Sequence, residues 1–488
     1  MTSLVQSLTA FLKAMIELWL GLNDIVNGLV WGPPMLVVLV GVGVYVTIRT
    51  RFIQFSRFAL MCRETMGNFF RRGGKAEGDV SPFQALTVAM GGTVGVGNIA
   101  GVATAIAIGG PGAVFWMMVS GLVGMATKFA EVVLGVHYRQ RREGEPMIGG
   151  PMMYISRGLG PNWKWLAAVF SVFGALAAFG IGNMVQSNAV AEGMAHFGAP
   201  AWITGLTLVV TVGLVTIGGI KRIAQVAMIF VPFMTVLYML GALFIILTNA
   251  THIPGVIALV VQRAFTPAAA TGGFAGAAVM MTIRYGIARG VFSNEAGMGS
   301  APIAHATART DHPARQGLWG IFEVFFDTVV MCSATGLAIL LTGAWTSGKT
   351  GASLTMHAFE LTYGANVGFA VVVFCMILTA YDTILAWCFY GETCTSFLFG
   401  HGRVIRMAYR LIWLPFTMLG ALGALEDIWS VADTLNGLMA IPNLIALLAL
   451  GGVVVKLTRD FLAGKPYVPP DNIPGEENER MIPKLGKD

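Results

Sequence analysis

An aspartate, two threonines and two glycine-rich stretches carry the chemistry open to this chain. The segment 377–387, ILTAYDTILAW, places Thr379, Asp382 and Thr383 within about one helical turn of each other in an apolar run. One acid and two hydroxyls make an oxygen-rich patch, and hard cations prefer oxygen ligands. Asp382 is the only acid between Glu360 and Glu392. The competing reading of the patch is helix capping or packing. The first glycine-rich stretch is GGTVGVGNIAG, Gly91 to Gly101, with Thr93 and Asn98 as polar companions. The second, RGVFSNEAGMGSAPIAHA from Arg289, adds Ser293, Asn294, Glu295 and Ser300. Glycine lets a helix unwind and a ligand approach the backbone. Unwound carbonyls can hold a cation, and free amides at a half-helix start can hold an anion. Small residues also serve close helix packing. Two clusters with polar neighbours favour a binding site for a small polar solute and its ion.

Other polar residues fall in apolar runs, where an ionisable group is a functional candidate. Asn183 and Gln186 lie three apart on one helix face; they contact a ligand or pair between helices. Lys128 and Glu131 read as an ion pair near an interface, followed by Arg139, Arg141 and Arg142. Glu323 and Asp327 form an i,i+4 acidic pair whose candidate partners are Arg284, Arg289 or water. Glu295 is either a ligand or, on the favoured reading, an acceptor for backbone amides of the break.

Several chemistries are excluded. No Walker-type phosphate loop occurs, and the glycine-rich stretch has neither a preceding strand nor a lysine for a phosphate. There is no nucleophile–base–orienter set and no histidine cluster, so no enzyme and no cofactor is expected. The five cysteines have no paired spacing, which argues against a disulfide framework or metal centre. The net charge of +6 does not imply nucleic acid, because the basic residues sit in short loops.

These residues must be positioned by membrane-spanning helices. Of the 488 residues, 56% are hydrophobic and only 11% charged, far below the roughly 25% charged of soluble proteins. Apolar runs predict spans over 33–48, 83–109, 113–137, 165–194, 201–219, 224–247, 276–303, 317–343, 366–389, 404–424 and 433–455. Residues 1–24 read as an interfacial or partly buried helix before the first span. Arginine and lysine collect at 49–75, 137–143, 221–222, 305–315, 400–410 and 456–460. With an N-terminus outside, all of these loops fall inside the cell. The two glycine-rich breaks fall in the second and seventh spans, five apart, and so run in opposite directions. That predicts an all-α polytopic membrane protein of about eleven spans, one N-terminal span plus a 5+5 inverted-repeat core with two discontinuous helices. The expected divisions are 1–80, 81–250 and 251–457, with a cytoplasmic tail at 458–488 that is polar, Pro-rich and expected to be disordered after Lys465.

GGTVGVGNIAGVATAI, GGPMMYI (149–155), FSNEAGMGSAPIAHATA (292–308) and TILAWCFYGE (383–392) resemble the alanine or glycine:cation symporter family. The resemblance covers essentially the whole chain from about residue 33. It implies the fold of the bacterial leucine transporter and import of alanine or glycine with sodium, or in some members with protons. A more distant similarity joins VGVGN (94–98) to the broken first core helix of neurotransmitter:sodium symporters. It implies sodium ligands at Gly91, Val94, Asp382 and Thr383, with Thr379 beside them. Relatives of that kind carry Ser or Thr where Asp382 stands, so Asp382 either binds sodium more strongly or carries a proton. Their second sodium site matches here only at Ser293. The implied substrate set is Thr93, Gly95, Val96, Gly97, Asn98, Gln186, Phe292, Ser293 and Gly297. In it, the amides of Gly95, Val96 and Gly97 take the carboxylate, and Gln186 with carbonyls near Phe292 and Ser293 takes the ammonium. Met298 and Trp387 are expected to limit the substrate side chain. The expected partners are a small amino acid, sodium and membrane lipid, in an inner cell membrane with the C-terminus cytoplasmic. The competing class, a cation channel, would favour rings of like residues from an oligomer.

Overall fold

The computed structural model describes residues 20–69, 76–141, 145–266, 275–423 and 426–470. Helix α1 (Leu20–Arg49) is followed by α2 (Pro82–Thr93) and α3 (Gly97–Gly109), which meet at 47°. Then come α4 (Ala113–His137), α5 (Pro161–Ala195), α6 (Ala201–Thr216) and α7 (Gly219–Thr248). The second broken helix is α8 (Ala275–Asn294) and α9 (Ala301–His305). The chain continues through α10 (Pro313–Leu341), α11 (Ala365–Phe399), α12 (Arg403–Leu422) and α13 (Ser430–Leu462). Among the described residues, α1, α4, α5, α7, α10, α11 and α13 are long and apolar enough to cross a membrane, and the bent α2–α3 pair is so when taken together. The other three expected spans are α6, the α8–α9 pair and α12. Helix α6 has only 16 residues. The α8–α9 pair is interrupted by its break, and Arg403, Arg406 and Arg410 lower the apolarity of α12. Exposed Leu214 on α6 and Val236 and Leu240 on α7 give the bundle an apolar outer face suited to lipid.

The first span starts earlier than expected. Residues 1–19 lie outside the described residues, but from Leu20 the chain is already helical and runs into α1. Polar anchors explain why this segment joins the bundle rather than lying along an interface. The Asn23 amide donates to Ser430 Oγ at 2.7 Å, and the Asn27 amide to Thr434 Oγ1 at 3.0 Å. The Trp31 indole donates to the Asp433 carbonyl at 3.1 Å. The tail residues 471–488 also lie outside the described residues.

The broken helices occupy the middle of the bundle, with α2 against α7 and α11, and α8 against α3 and α4. A capping box starts α2: Ser81 Oγ accepts from the Gln84 amide at 3.1 Å, and Gln84 Oε1 from the Ser81 amide at 3.0 Å. Helix α2 stops where Val94 turns extended, with φ −76° and ψ 98°. In the second break, Glu295, Gly297 and Gly299 have φ of 52°, 92° and 83°. Only glycine holds such angles without strain. The non-glycine Glu295 is fixed there by its neighbours.

Candidate functional site

The two breaks touch. A Cβ placed on Gly97 would lie 3.1 Å from the Ser293 Cα, so a side chain at residue 97 would force α3 and α8 slightly apart. Between them and α5, α11 and α13 lies a cavity of about 30 Å³. Gly92, Thr93, Gly95, Val96, Gly97, Ile181, Gln186, Phe292, Glu295, Thr383, Trp387 and Asn436 line it. At about 10–15 Å³ per lodged water, it holds a few small groups. Of the expected substrate set, Thr93, Gly95, Val96, Gly97, Gln186 and Phe292 are on this wall. Val96 and Gly97 open the second half-helix, where backbone amides have no partner in a preceding turn. The Gly95 amide is already bound to Asn98 Oδ1 at 2.8 Å. Gln186 donates to the Ile181 carbonyl at 3.0 Å, which leaves its buried Oε1 without a partner among the described residues. Asn436 Oδ1 is likewise buried and unpartnered. Two acceptors therefore look into a cavity with helix-start amides on the other side, which suits a solute with a positive and a negative end.

Two expected residues, Asn98 and Ser293, stand behind the wall. The Asn98 amide donates to Asp327 Oδ1 at 2.7 Å and to its carbonyl at 3.1 Å. Ser293 Oγ donates to Asp327 Oδ2 at 3.0 Å, as does Thr328 Oγ1 at 2.8 Å. Asp327 thus ties both broken helices to α10; neither arginine pairs with it. Gly297 lies elsewhere, beside Leu39 and Leu444. Met298 is fully buried but is not on the cavity wall, so Trp387, Phe292 and Ile181 are the bulky groups that bound the cavity.

Three of the five expected cation ligands, Gly91, Asp382 and Thr383, come together. Thr383 Oγ1 donates to the Gly91 carbonyl at 2.8 Å and to the Thr379 carbonyl at 3.0 Å. Asp382 is 1% exposed. Neither of its carboxylate oxygens has a hydrogen-bond partner among the described residues. Its Oδ2 sits against Gly91, where any Cβ would collide with it. Thr379 Oγ1 is turned to the Met376 carbonyl at 2.9 Å, and Val94 lies at the end of α2 with its amide bonded to Met90. A buried, unpaired carboxylate next to a helix break calls for a cation or a proton.

Two expected pairings are corrected. Lys128 and Glu131 are fully buried, and Lys128 Nζ pairs with Glu323 Oε1 at 3.2 Å on another helix. His305 Nε2 lies 2.9 Å from Glu323 Oε2, and the Gln316 amide faces His305 Nδ1 at 2.9 Å. Glu323 is therefore paired with Lys128 and His305 rather than with Arg284 or Arg289. The amides of the second break are held by Glu131, not by Glu295. Glu131 Oε1 accepts from Gly297 at 3.1 Å, Gly299 at 3.0 Å and Asn443 Nδ2 at 2.6 Å. Glu295 instead accepts from Ser300 and borders the cavity. Sequence patterning missed Asn436 and Ile181, and it missed the wide π-type turns at Gly97–Gly101, Ala178–Met184 and Phe325–Cys332. All three turns lie at or just behind the cavity, as such turns often do at functional sites. Lone polar residues within apolar helices were the available signal.

Paired broken helices around an enclosed polar cavity, in a bundle of apolar helices, define a membrane transporter rather than an enzyme. The sequence pattern of the sodium:alanine symporter family matches residues 17–467, and the chain belongs to that family. It is 44% identical over 450 residues to the sodium/alanine symporter AgcS of Methanococcus maripaludis, covering 91% of this chain and 97% of that one. A probable sodium/glutamine symporter of Bacillus subtilis is 38% identical, with 90% of each chain covered. A candidate sodium/proton-dependent alanine carrier of the same organism is 37% identical, covering 89% of this chain and 91% of that one. Among solved structures, a manganese transporter of Eremococcus coleocola is similar at a TM-score of 0.47 and 13% identity, covering 80% of this chain and 92% of that one.

Proposed function

We propose that this symporter carries a small neutral amino acid, alanine or glycine, into the cell together with sodium by alternating access. The observation that carries the reading is the buried Asp382 carboxylate, unpartnered beside the Gly91 carbonyl and Thr383 hydroxyl at the end of α2. A sodium ion there would neutralise the acid and tie α2 to α11. The substrate's carboxylate would lie at the Val96 and Gly97 amides, and its ammonium at Gln186 Oε1 and Asn436 Oδ1. Both ligands would then favour the same closed arrangement of the breaks, which is the condition for coupling. Trp387, Phe292 and Ile181 leave room for hydrogen or methyl in a cavity of about 30 Å³; a longer side chain, as in glutamine, would need the wall to move. The proposed setting is a cell membrane, with the N-terminus outside and the basic loops and C-terminus inside.

The test is uptake of labelled alanine into proteoliposomes. Saturable uptake that needs an inward sodium gradient supports the proposal, and sodium flux without substrate points to a channel. The same carboxylate supports a second reading, in which a proton neutralises Asp382. Uptake driven by a proton gradient without sodium, and lost in Asp382→Asn, would establish it.

A further inference from the structure

A second polar cavity, of about 110 Å³, adjoins the central one. Asn27, Trp31, Arg284, Tyr285, Ala288, Arg289, Phe292 and Asp433 line it. Asn27 lies near the start of α1, Arg284 and Arg289 lie before the second break, and Asp433 opens α13. The cavity therefore sits at the end of the bundle opposite Arg49 and Arg459, which close those same long helices. Phe292 belongs to both cavities. The Arg289 guanidinium lies 5.5 Å from the centre of its ring, a cation–π contact that holds the ring as a partition.

Arg289 and Asp433 attract each other across this cavity but form no ion pair. Neither Arg284 nor Arg289 makes an ion pair or side-chain hydrogen bond among the described residues. Asp433 Oδ2 accepts only a long contact, 3.4 Å, from Asn27. Two guanidinium groups and one carboxylate thus face a common space with room between them. That pattern complements a zwitterion, since a guanidinium takes a carboxylate through two parallel N–H bonds and a carboxylate takes an ammonium. The surplus positive charge would attract the carboxylate end first.

We propose that this cavity is a loading site for α-amino acids. Arg289 binds the carboxylate and Asp433 the ammonium before Phe292 swings aside and the solute passes to the central cavity. The inference rests on the amino-acid transport proposed above and on the loading face being extracellular. It adds that the first site selects for the zwitterionic head and not for side-chain size, because it has more than three times the room of the central cavity. A large zwitterion such as leucine should lodge there without being carried.

The experiment uses the full-length protein in proteoliposomes. External leucine should inhibit alanine uptake competitively without itself accumulating, whereas propionate and ethylamine, each carrying half of the head group, should not inhibit. Arg289→Gln and Asp433→Asn should each raise the KM for alanine about tenfold and abolish inhibition by leucine, while uptake at saturating alanine stays within about twofold of the parent. Arg289→Lys should recover part of the KM. As a readout independent of transport, Ala288→Cys should react with a charged thiol reagent added outside, and leucine should slow that reaction. An unchanged KM with leucine block intact in both variants, or leucine accumulating as alanine does, overturns the loading site. Absence of alanine uptake by the parent protein would instead overturn the transport reading beneath it. If a variant fails to insert, leucine protection of the Ala288→Cys protein still decides the matter.

Discussion

The Thr383 hydroxyl donates a 2.8 Å hydrogen bond to the backbone carbonyl of Gly91. It joins the middle of α11 to the last turn of α2, on the edge of the central cavity. Asp382, the residue before it, presses its carboxylate against the same glycine. A cation entering here would find a carboxylate, a hydroxyl and a backbone carbonyl where the two helices touch. Thr383→Val keeps the shape and removes the hydroxyl. We expect it to lower apparent sodium affinity about tenfold, on the scale of a buried hydrogen bond to a charged partner. Sodium-activation curves of alanine uptake measure this, and an unchanged half-saturation would remove Thr383 from the cation site.

Gly91→Ala tests the same contact from the other side. The added methyl would occupy the place of Asp382 Oδ2, and the carboxylate cannot withdraw into a packed interior without cost. The expected result is loss of sodium-dependent uptake in a protein that still inserts and purifies as a single species. Retention of uptake with parental sodium dependence would show that Asp382 can move freely, which is incompatible with a preformed site.

Glu131 has a different task. It gathers two amides of the second break and the Asn443 side chain on one oxygen, and Tyr154 in turn donates to Asn443. Glu131→Ala would leave several buried donors unsatisfied, at about 1–3 kcal/mol each. The melting temperature in detergent should fall sharply. Glu131→Gln keeps an acceptor oxygen and should fall much less. Equal effects of the two variants would mean that the negative charge, and not the acceptor geometry, holds the break.

His312, outside the spans, gives a pH dependence whose sign is set by its surroundings. It caps α10 by accepting from the Ala314 amide through Nδ1 at 3.1 Å. Burial pushes this ring below the ordinary imidazole range; Asp311 opposes the shift, Arg315 adds to it and Asp460 opposes it. A histidine whose folded pKa is depressed stabilises above its unfolded pKa, about 6.5, and that contribution is lost as pH falls. The cap should therefore weaken as the medium is acidified. His312→Asn supplies a capping oxygen that does not titrate, and its melting temperature should fall less between about pH 7 and 5 than that of the parent. Parallel curves for the two proteins would assign the acid sensitivity to other groups.

What could be read from residues alone follows a physical boundary. Asp382 with Thr383, and the glycines at 91–101 and 297–299, were visible because an acid or a helix breaker in a lipid-spanning run has few innocent explanations. The partners of Lys128 were not. Sequence spacing offers Glu131 on the same helix, whereas the amine reaches Glu323 across the bundle. The start of α1 was misplaced for a related reason: the asparagines at 23 and 27 look interfacial until Ser430 and Thr434 are seen opposite them. Asn436 became a cavity residue only once α13 was set against α5 and α11. Within-helix relations were legible, and cross-helix relations needed the fold.

The Lys128–Glu323 pair offers the clearest test of such a cross-helix relation. Both side chains are fully shielded from solvent, and their separation is 3.2 Å. Breaking a buried pair by removing one partner leaves an uncompensated charge and typically costs about 3–5 kcal/mol. Glu323 also faces His305, so it keeps one polar neighbour when the lysine is lost, whereas Lys128 has no second partner so close among the described residues. Lys128→Met and Glu323→Gln should each lower the melting temperature, with Glu323→Gln the worse of the two, because it strands the ammonium. The double variant should be more stable than Glu323→Gln alone, since removing the lysine relieves the stranded charge. A double-mutant cycle on melting temperatures reads this coupling directly. Strictly additive effects would show that the two residues act separately and that Lys128 is held by Glu131 or Glu295 instead.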